Sequence, residues 1–232
     1  MSKSLAVLLL SASSLASAQP RDCPALHWEG DDVARSATVS TDDARTHFVH
    51  DAPAVAGCPS ADATCRMKAY LVPGDEVVVW FEEGDYACAS YVAANGRETA
   101  GFLPTASLAI ADAPKSTPQS AWVGTWTRDE AEVRIVAEGD GAVAIEGDAT
   151  WGTHDPDRVE RGGVHIGTID RTVVPIGNAA VLRFAPGEEP DDPSDEYRCR
   201  VALQRVGDRL LVDDNFQCGG MNVSFDGIYV RD

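Results

Sequence analysis

The chain has 232 residues, of which 44% are hydrophobic and 24% charged, and its formal net charge at pH 7 is −18. A chain of this length fits one large domain or two small ones. So large an excess of acidic side chains excludes electrostatic binding of the whole molecule to nucleic acid or to an anionic membrane surface. It favours basic partners at low salt, although solubility is the simpler explanation of the charge.

The first residues have the organisation of a secretory signal peptide. Lys3 supplies a short positive region, residues 5–10 (LAVLLL) form an apolar stretch, and residues 16–18 (ASA) give a small-x-small cleavage pattern. The apolar stretch is far shorter than the ~20 residues of a membrane-spanning helix. We therefore predict a signal peptide at 1–18 and a periplasmic or secreted mature protein that has no membrane anchor.

The six cysteines of an exported chain are expected to form disulfides. Cysteines that lie close together in one stretch are paired first, and the remaining two are then joined to each other. Four of the six lie in the first half of the chain, where three pairings are formally open. The favoured disulfides are Cys58–Cys65, Cys199–Cys218 and Cys23–Cys88.

A segment rich in Pro and Ser at 112–120 (DAPKSTPQS) is predicted to be a linker between a domain at 19–111 and a domain at 121–232. The first domain starts with a loop-rich segment at 21–65. Short strands then alternate with turn sequences such as Asn95-Gly96, a strong hairpin signal. The predicted strands, which are typical of a small barrel, are 67–72, 76–80, 86–93, 98–103 and 107–110.

The order of motifs in this region resembles a bacterial SH3-like domain over about 66–110. Ala69-Tyr70 matches its opening strand, Gly74-Asp75 its turn, and residues 101–104 (GFLP) its closing Gly-Trp-x-Pro. The resemblance implies a shallow groove for extended peptides, and in exported members the ligands are cell-wall peptides or partner proteins. Alternatively, Tyr86 and Phe102 fill the core of the barrel. The implied groove residues are Tyr70, Tyr86, Phe102 and Pro104.

The second half of the chain alternates apolar and polar residues with period two. Val133 and Ile135 fall on one face, and Glu132 and Arg134 fall on the other. This pattern predicts about eight or nine antiparallel strands, enough to close an up-and-down barrel or to form a two-sheet sandwich. The predicted strands are 121–126, 132–137, 143–145, 148–151, 163–169, 179–184, 197–204, 210–213 and 221–231.

Residues 124–126 (GTW) and 229–231 (YVR) make this half similar to calycin barrels such as lipocalins, over about 121–231. In that family a Gly-x-Trp on the first strand packs under a basic side chain from near the chain end. The resemblance allows carriage of a small apolar ligand, provided that the large residues of this half leave the interior unfilled: Trp122, Trp126, Trp151 and Phe184. Through 65–75 and 214–229, the whole chain also resembles a group of secreted proteobacterial proteins of unassigned activity.

Motifs of enzymes are absent from the sequence, which has no Gly-x-Ser-x-Gly, His-Glu-x-x-His or phosphate-binding glycine-rich loop. The acidic segment 188–196 lacks the ligand spacing of a calcium loop. Zinc is the other metal to consider, but an oxidising compartment favours a disulfide over thiolate ligands. The residues with zinc-like spacing are His47, His50, Cys58 and Cys65. We predict no catalytic residues, no metal and no cofactor.

The sequence therefore favours a non-catalytic binding protein of the cell envelope, with cell-wall peptides or envelope proteins as ligands. One alternative is inhibition of a lysozyme, because an acidic protein suits a basic enzyme. Residues 224–229 (SFDGIY) do not reproduce the Ser-Gly-x-x-Tyr spacing of one inhibitor family. The other alternative is carriage of a small apolar ligand inside the second barrel.

Overall fold

The structure, a computed structural model, describes residues 22–23, 33–112, 116–183 and 198–232. Within these residues fifteen strands form two antiparallel sheets of seven and eight strands, which confirms the predicted all-β class. The predicted signal peptide at 1–18, Phe184 and the acidic segment 188–196 lie outside the described residues. No helix in the described part of the chain is long and apolar enough to cross a membrane.

The first sheet has the strand order β3-β2-β6-β5-β4-β1-β7. Its most buried strand, β4, is a nearly continuous apolar run (VVVWF), which is typical of a strand that is covered on both faces. The edge strand β3 instead alternates exposed and more buried residues. The strands are β1 (Arg35–Val39), β2 (Thr46–Val49), β3 (Arg66–Leu71), β4 (Glu76–Glu83), β5 (Tyr86–Val92), β6 (Glu98–Pro104) and β7 (Leu108–Ile110).

Strands β1 and β2 correct the prediction that residues 21–65 are a loop-rich segment. β1 pairs with β4 on one side and with β7 on the other, and β2 pairs with β3 and β6. Both strands are only four or five residues long, so their own sequences carry little periodic signal. Pairing with strands that are distant in sequence determines their structure.

The second sheet has the order β11-β10-β9-β8-β15-β14-β13-β12 and curls into a nearly closed barrel, whose remaining gap lies between β11 and β12. A short helix α1 (Gln119–Trp122), which begins inside the predicted linker, leads into the barrel, and α2 (Pro156–Glu160) precedes β11. The strands are β8 (Gly124–Arg128), β9 (Ala131–Ala137), β10 (Val143–Trp151), β11 (His165–Val173), β12 (Ala179–Arg183), β13 (Arg200–Val206), β14 (Arg209–Asp214) and β15 (Gly227–Arg231).

Large side chains fill the interior of the barrel. Four aromatic residues in this interior are fully buried, and aliphatic residues from the six strands β9 to β14 surround them. The indole N–H of Trp126 donates to the Trp122 carbonyl at 2.9 Å, and the Tyr229 hydroxyl donates to the Phe225 carbonyl at 2.8 Å. The polar atoms of these two rings are thus satisfied within the core.

The two sheets are joined by a shared apolar cluster. Val206, Leu211 and Ile228 from the barrel pack in one cluster with Val78 and Trp80 of the first sheet. The Gln204 side chain also donates to the Ala34 carbonyl at 3.3 Å across the junction. The two sheets therefore bury apolar surface against each other.

Three disulfides join the same pairs of cysteines that the sequence favours. Cys23 is bonded to Cys88, Cys58 to Cys65, and Cys199 to Cys218, with Cα–Cα distances of 5.6, 5.6 and 4.6 Å. The first ties residue 23 to strand β5, and the third ties the 215–226 loop to the start of β13. Three disulfides are consistent with an oxidising compartment outside the cytoplasm.

Candidate functional site

The first sheet carries a groove of about 660 Å³, which we call the β2 groove. Pockets that bind drug-sized ligands have volumes of about 300–1,000 Å³, so this groove is large enough to hold several residues of a peptide. A second cavity, between the two sheets, has only about 160 Å³. Charged side chains of both signs, the rings of His47 and Tyr86, and Pro104 line the β2 groove; the charged residues are Asp43, Arg45, Asp62 and Arg66.

One wall of the β2 groove is formed by Tyr86 and Pro104. These residues are direct partners in the ladder between β5 and β6, so their side chains lie next to each other on one face. Ser107 donates its hydroxyl to the Pro104 carbonyl at 2.7 Å, and the Thr105 amide donates to the Asp85 carbonyl at 2.9 Å. Both rings are half-buried, and the two hydrogen bonds fix the turn that presents them.

Other residues that line the groove belong to β2, to β3 and to the loop before β3. A ring nitrogen of His47 lies 3.0 Å from the Met67 carbonyl, which holds the imidazole against β3. Asp62 accepts hydrogen bonds from the amide and the hydroxyl of Thr64, both at 3.0 Å. These two bonds lower the pKa of the Asp62 carboxyl below its usual value. The Asp62 carboxylate therefore stabilises the turn that contains Thr64.

Tyr70 lies beside the β2 groove and not in it. It is exposed on the outer face of β3, and it lines a neighbouring pocket of about 330 Å³. The guanidinium of Arg45 lies 4.2 Å from the centre of its ring, and the His47 ring lies 5.6 Å away. The groove and the pocket thus meet at Arg45, His47 and Tyr70.

Phe102 is a core residue, which corrects its implied role in a ligand groove. Its side chain is 0% exposed and packs edge-on against Phe81 at 5.9 Å. Its strand partner Val49 lines the groove, so Phe102 supports the groove from within the sheet. Of the four residues that the SH3-like motifs indicated, the structure brings only Tyr86 and Pro104 together in the groove.

Arg45, His47 and Arg66 are residues of the groove that the sequence motifs did not indicate as ligand-binding. Arg66 lies two residues before Lys68 and four before Tyr70, and all three are exposed on β3. This period-two alternation was the one available signal, because it places the three side chains on one face of a strand. Arg45 and His47 lie 21 and 19 residues before Arg66 in sequence, and only strand pairing brings them to β3.

The zinc hypothesis is excluded at the residues that suggested it. Cys58 and Cys65 form a disulfide, so neither sulfur is available as a thiolate ligand. Within the described ranges, no group of three or more His, Cys, Asp or Glu side chains is arranged to hold a metal ion. The acidic segment 188–196 lies outside these ranges.

Comparison of the chain with protein-family models, with curated proteins and with solved structures finds no match. The two resemblances to SH3-like and calycin domains thus rest on the sequence motifs alone. The function has to be inferred from the chemistry of the groove itself.

Proposed function

We propose that the protein is a non-catalytic binding protein of the cell envelope that holds an extended peptide in the β2 groove. The observation that carries this proposal is the volume of about 660 Å³ beside a wall formed by Tyr86 and Pro104. Adjacent aromatic and proline rings are the usual surface on which extended and polyproline-type peptides dock. The SH3-like order of motifs supports the same class of ligand.

The position of β3 favours a ligand with an extended backbone. β3 lies at the edge of the seven-stranded sheet, so one side of its backbone has no neighbouring strand within that sheet. A free edge can accept a further strand, whose main chain then supplies hydrogen bonds to the existing strand. A peptide on this edge would lie next to Arg66, which also lines the groove.

Carriage of an apolar ligand in the barrel receives little support from the packing. A carrier of this kind needs an interior cavity of about 300 Å³ or more. The barrel interior is occupied instead by Trp122, Trp126, Phe225 and Tyr229, each 0% exposed. A ligand could enter only if several of these side chains moved.

The proposal is tested by co-sedimentation of the mature protein with purified peptidoglycan sacculi. We expect Tyr86→Ala to reduce the sedimented fraction severalfold, because it removes the aromatic ring of the groove wall. Ile176→Ala is the matched control, since this residue is 85% exposed and lies in the second half of the chain. Near-UV circular dichroism of each variant establishes that its fold is intact.

A second arm uses sacculi from which an amidase has removed the peptides. If the wild-type protein sediments with intact sacculi but not with these peptide-free glycan strands, it recognises the peptides. Failure of the wild-type protein to sediment, or equal sedimentation of Tyr86→Ala, contradicts the proposal for cell-wall peptides. Point variants are preferable to deletion of residues 19–111, because such a deletion would expose the apolar cluster shared by the two sheets.

A further inference from the structure

Within the first half of the chain, basic side chains are concentrated on one surface. Residues 19–111 contain six basic residues, and four of them line the β2 groove or the adjoining pocket. All four are exposed. We call this the basic surface, and it consists of Arg45, Arg66, Lys68 and Arg97 together with the rings of His47 and Tyr70.

The alternation of β3 and its pairing with β2 make the basic surface continuous. Arg66, Lys68 and Tyr70 are exposed, whereas the residues between them are more buried. His47 is the direct ladder partner of Tyr70. The Arg45 guanidinium lies over the Tyr70 ring at 4.2 Å, which links the groove to the pocket that Lys68 lines.

Among the residues that the structure describes, no ion pair neutralises the charges of the basic surface. Across the described part of the chain, none of its four Arg and Lys side chains lies within ion-pair distance of a carboxylate. Arg35 and Arg134, in contrast, pair with Glu82 and Glu146. In the described part of the chain, two carboxylates line the β2 groove, and that of Asp62 is already hydrogen-bonded to Thr64.

We propose that the ligand of this surface is an acidic polypeptide segment of a partner protein, bound in extended form along β3 with its carboxylates on Arg66 and Lys68. This inference rests on the proposed peptide-binding function and specifies the chemistry of the ligand. Arginine accepts a carboxylate with two parallel hydrogen bonds, and cations facing anions give both affinity and orientation. Tyr70, which is exposed on the same strand, supplies an apolar contact beside the two cations.

The spacing along β3 specifies the pattern of the ligand. Arg66 and Lys68 lie two residues apart, which in a strand is about 6.6–6.8 Å. A strand added to the edge presents every second side chain on the same face, so acidic residues at alternating positions match the two cations. A membrane surface or a nucleic acid fits less well, because neither has a polypeptide backbone that can pair with the edge of β3.

Fluorescence anisotropy of labelled synthetic peptides tests this proposal on the full mature protein. The probe is a peptide of alternating Glu and Thr, and the comparison peptide has Gln in place of each Glu. We expect the Glu peptide to bind at least about tenfold more tightly in 50 mM NaCl. Its affinity should fall in 300 mM NaCl, because salt screens exposed charge pairs.

The double variant Arg66→Gln/Lys68→Gln should weaken binding of the Glu peptide by about five- to tenfold, because it removes two exposed charge pairs whose contributions to the binding free energy add. The double variant Arg134→Gln/Arg161→Gln is the control, because it removes the same charge from exposed positions in the barrel. The affinity of this control variant for the Glu peptide should differ from that of the wild-type protein by less than twofold. Equal binding of both peptides, or equal effects of both double variants, overturns the proposal but leaves peptide binding intact.

The remaining outcomes separate other occupants from the proposed one. Binding to anionic lipid vesicles without binding to the Glu peptide would identify a membrane as the occupant and overturn the proposal. Concentration-dependent self-association that Arg66→Gln/Lys68→Gln abolishes would replace the partner protein by a second copy of the chain. Binding of neither peptide, with sedimentation on sacculi retained and sensitive to Tyr86→Ala, would overturn the acidic ligand alone.

Discussion

Trp126 carries two guanidinium groups against its ring, at 4.1 Å from Arg205 and 4.4 Å from Arg231. Burial, and then repulsion by Arg231, lower the pKa of Arg205 to about 10, so the side chain remains protonated at neutral pH. The Arg205 guanidinium also donates to the Gly207 carbonyl at 2.9 Å. The ring and the carbonyl together offset part of the cost of burying this charge.

Gly124 allows Arg231 to approach the first strand of the barrel. A Cβ at this position would lie 3.3 Å from the Arg231 Nε. The Arg231 guanidinium also donates to the Ala121 carbonyl. Gly124 thus lets the Arg231 side chain lie beside the first barrel strand, where its guanidinium reaches the Trp126 ring.

His154 provides a prediction about ionisation at a single residue. Its Nε2 lies 2.7 Å from an Asp129 carboxylate oxygen, and this hydrogen bond and charge raise the pKa of His154 above 6.5. We expect an NMR titration to give a pKa above this value, and Asp129→Asn to lower it. Because the folded-state pKa is raised, the contact stabilises the fold fully below pH 6.5 and is lost as pH rises through the folded-state pKa.

The control for this titration is Asp140→Asn, which removes an exposed carboxylate elsewhere in the barrel. It should leave the His154 pKa within about 0.2 units, since exposed charges beyond a Debye length are screened. A His154 pKa at or below 6.5, or one that Asp129→Asn does not change, would contradict the observed pairing.

At the scale of elements, close packing of two glycines positions the 215–226 loop. Gly167 in β11 and Gly219 form an antiparallel bridge. A Cβ on Gly167 would lie 2.5 Å from the Cys218 carbonyl oxygen and 2.9 Å from the Gly219 Cα. These are backbone atoms, and the Cys199–Cys218 disulfide restrains them. The loop has little freedom to move away.

We therefore predict that Gly167→Ala lowers the free energy of unfolding by about 1–3 kcal/mol, the usual cost of overpacking. Urea denaturation followed by tryptophan fluorescence measures the change. Gly139→Ala is the matched control, because a Cβ there has no atom within 4 Å. The control should be neutral or slightly stabilising. Equal stability of the two variants would show that the loop yields readily.

Strands with a strong local signal could be predicted from the sequence, and strands without one could not. The apolar run of β4 and the alternation of β9 predict those strands closely. β1 has no comparable pattern, and it forms because β4 and β7 pair with it on both sides. Helix α2 has an Asp155 cap and Pro156 at its first position, but five residues are too few for a helical period.

The candidate site divides in the same way. Tyr86 and Pro104 could be predicted because an ordered set of motifs placed both near one hairpin. The contribution of Arg45 could not, because it depends on the pairing of β2 with β3, and β2 has no sequence signature. Motif order says nothing about the face of a strand on which a residue lies, so the sequence leaves Phe102 open between the groove and the core, where the structure places it.

At the scale of the whole molecule, the two sheets are coupled through the cluster that they share. Leu211 is 0% exposed and packs in the same cluster as Trp80 and Phe81 of the first sheet. A barrel that unfolds would therefore expose apolar surface of the first sheet as well. Cooperative domains that share a core lose their structure together when the shared contacts contribute much of their stability.

We predict a single calorimetric unfolding transition whose midpoint falls in both Leu203→Ala and Leu211→Ala. Each substitution empties a fully buried site and should cost about 2–5 kcal/mol, or several degrees in Tm. Leu203 belongs to the barrel interior alone, whereas Leu211 lies between the sheets. Hydrogen exchange of β5, which is in the first sheet, distinguishes coupling from independence. We expect the amides of β5 to exchange faster in Leu203→Ala, because destabilisation of the barrel then reaches the first sheet. Two endotherms, or unchanged protection of β5, would mean that each sheet folds independently.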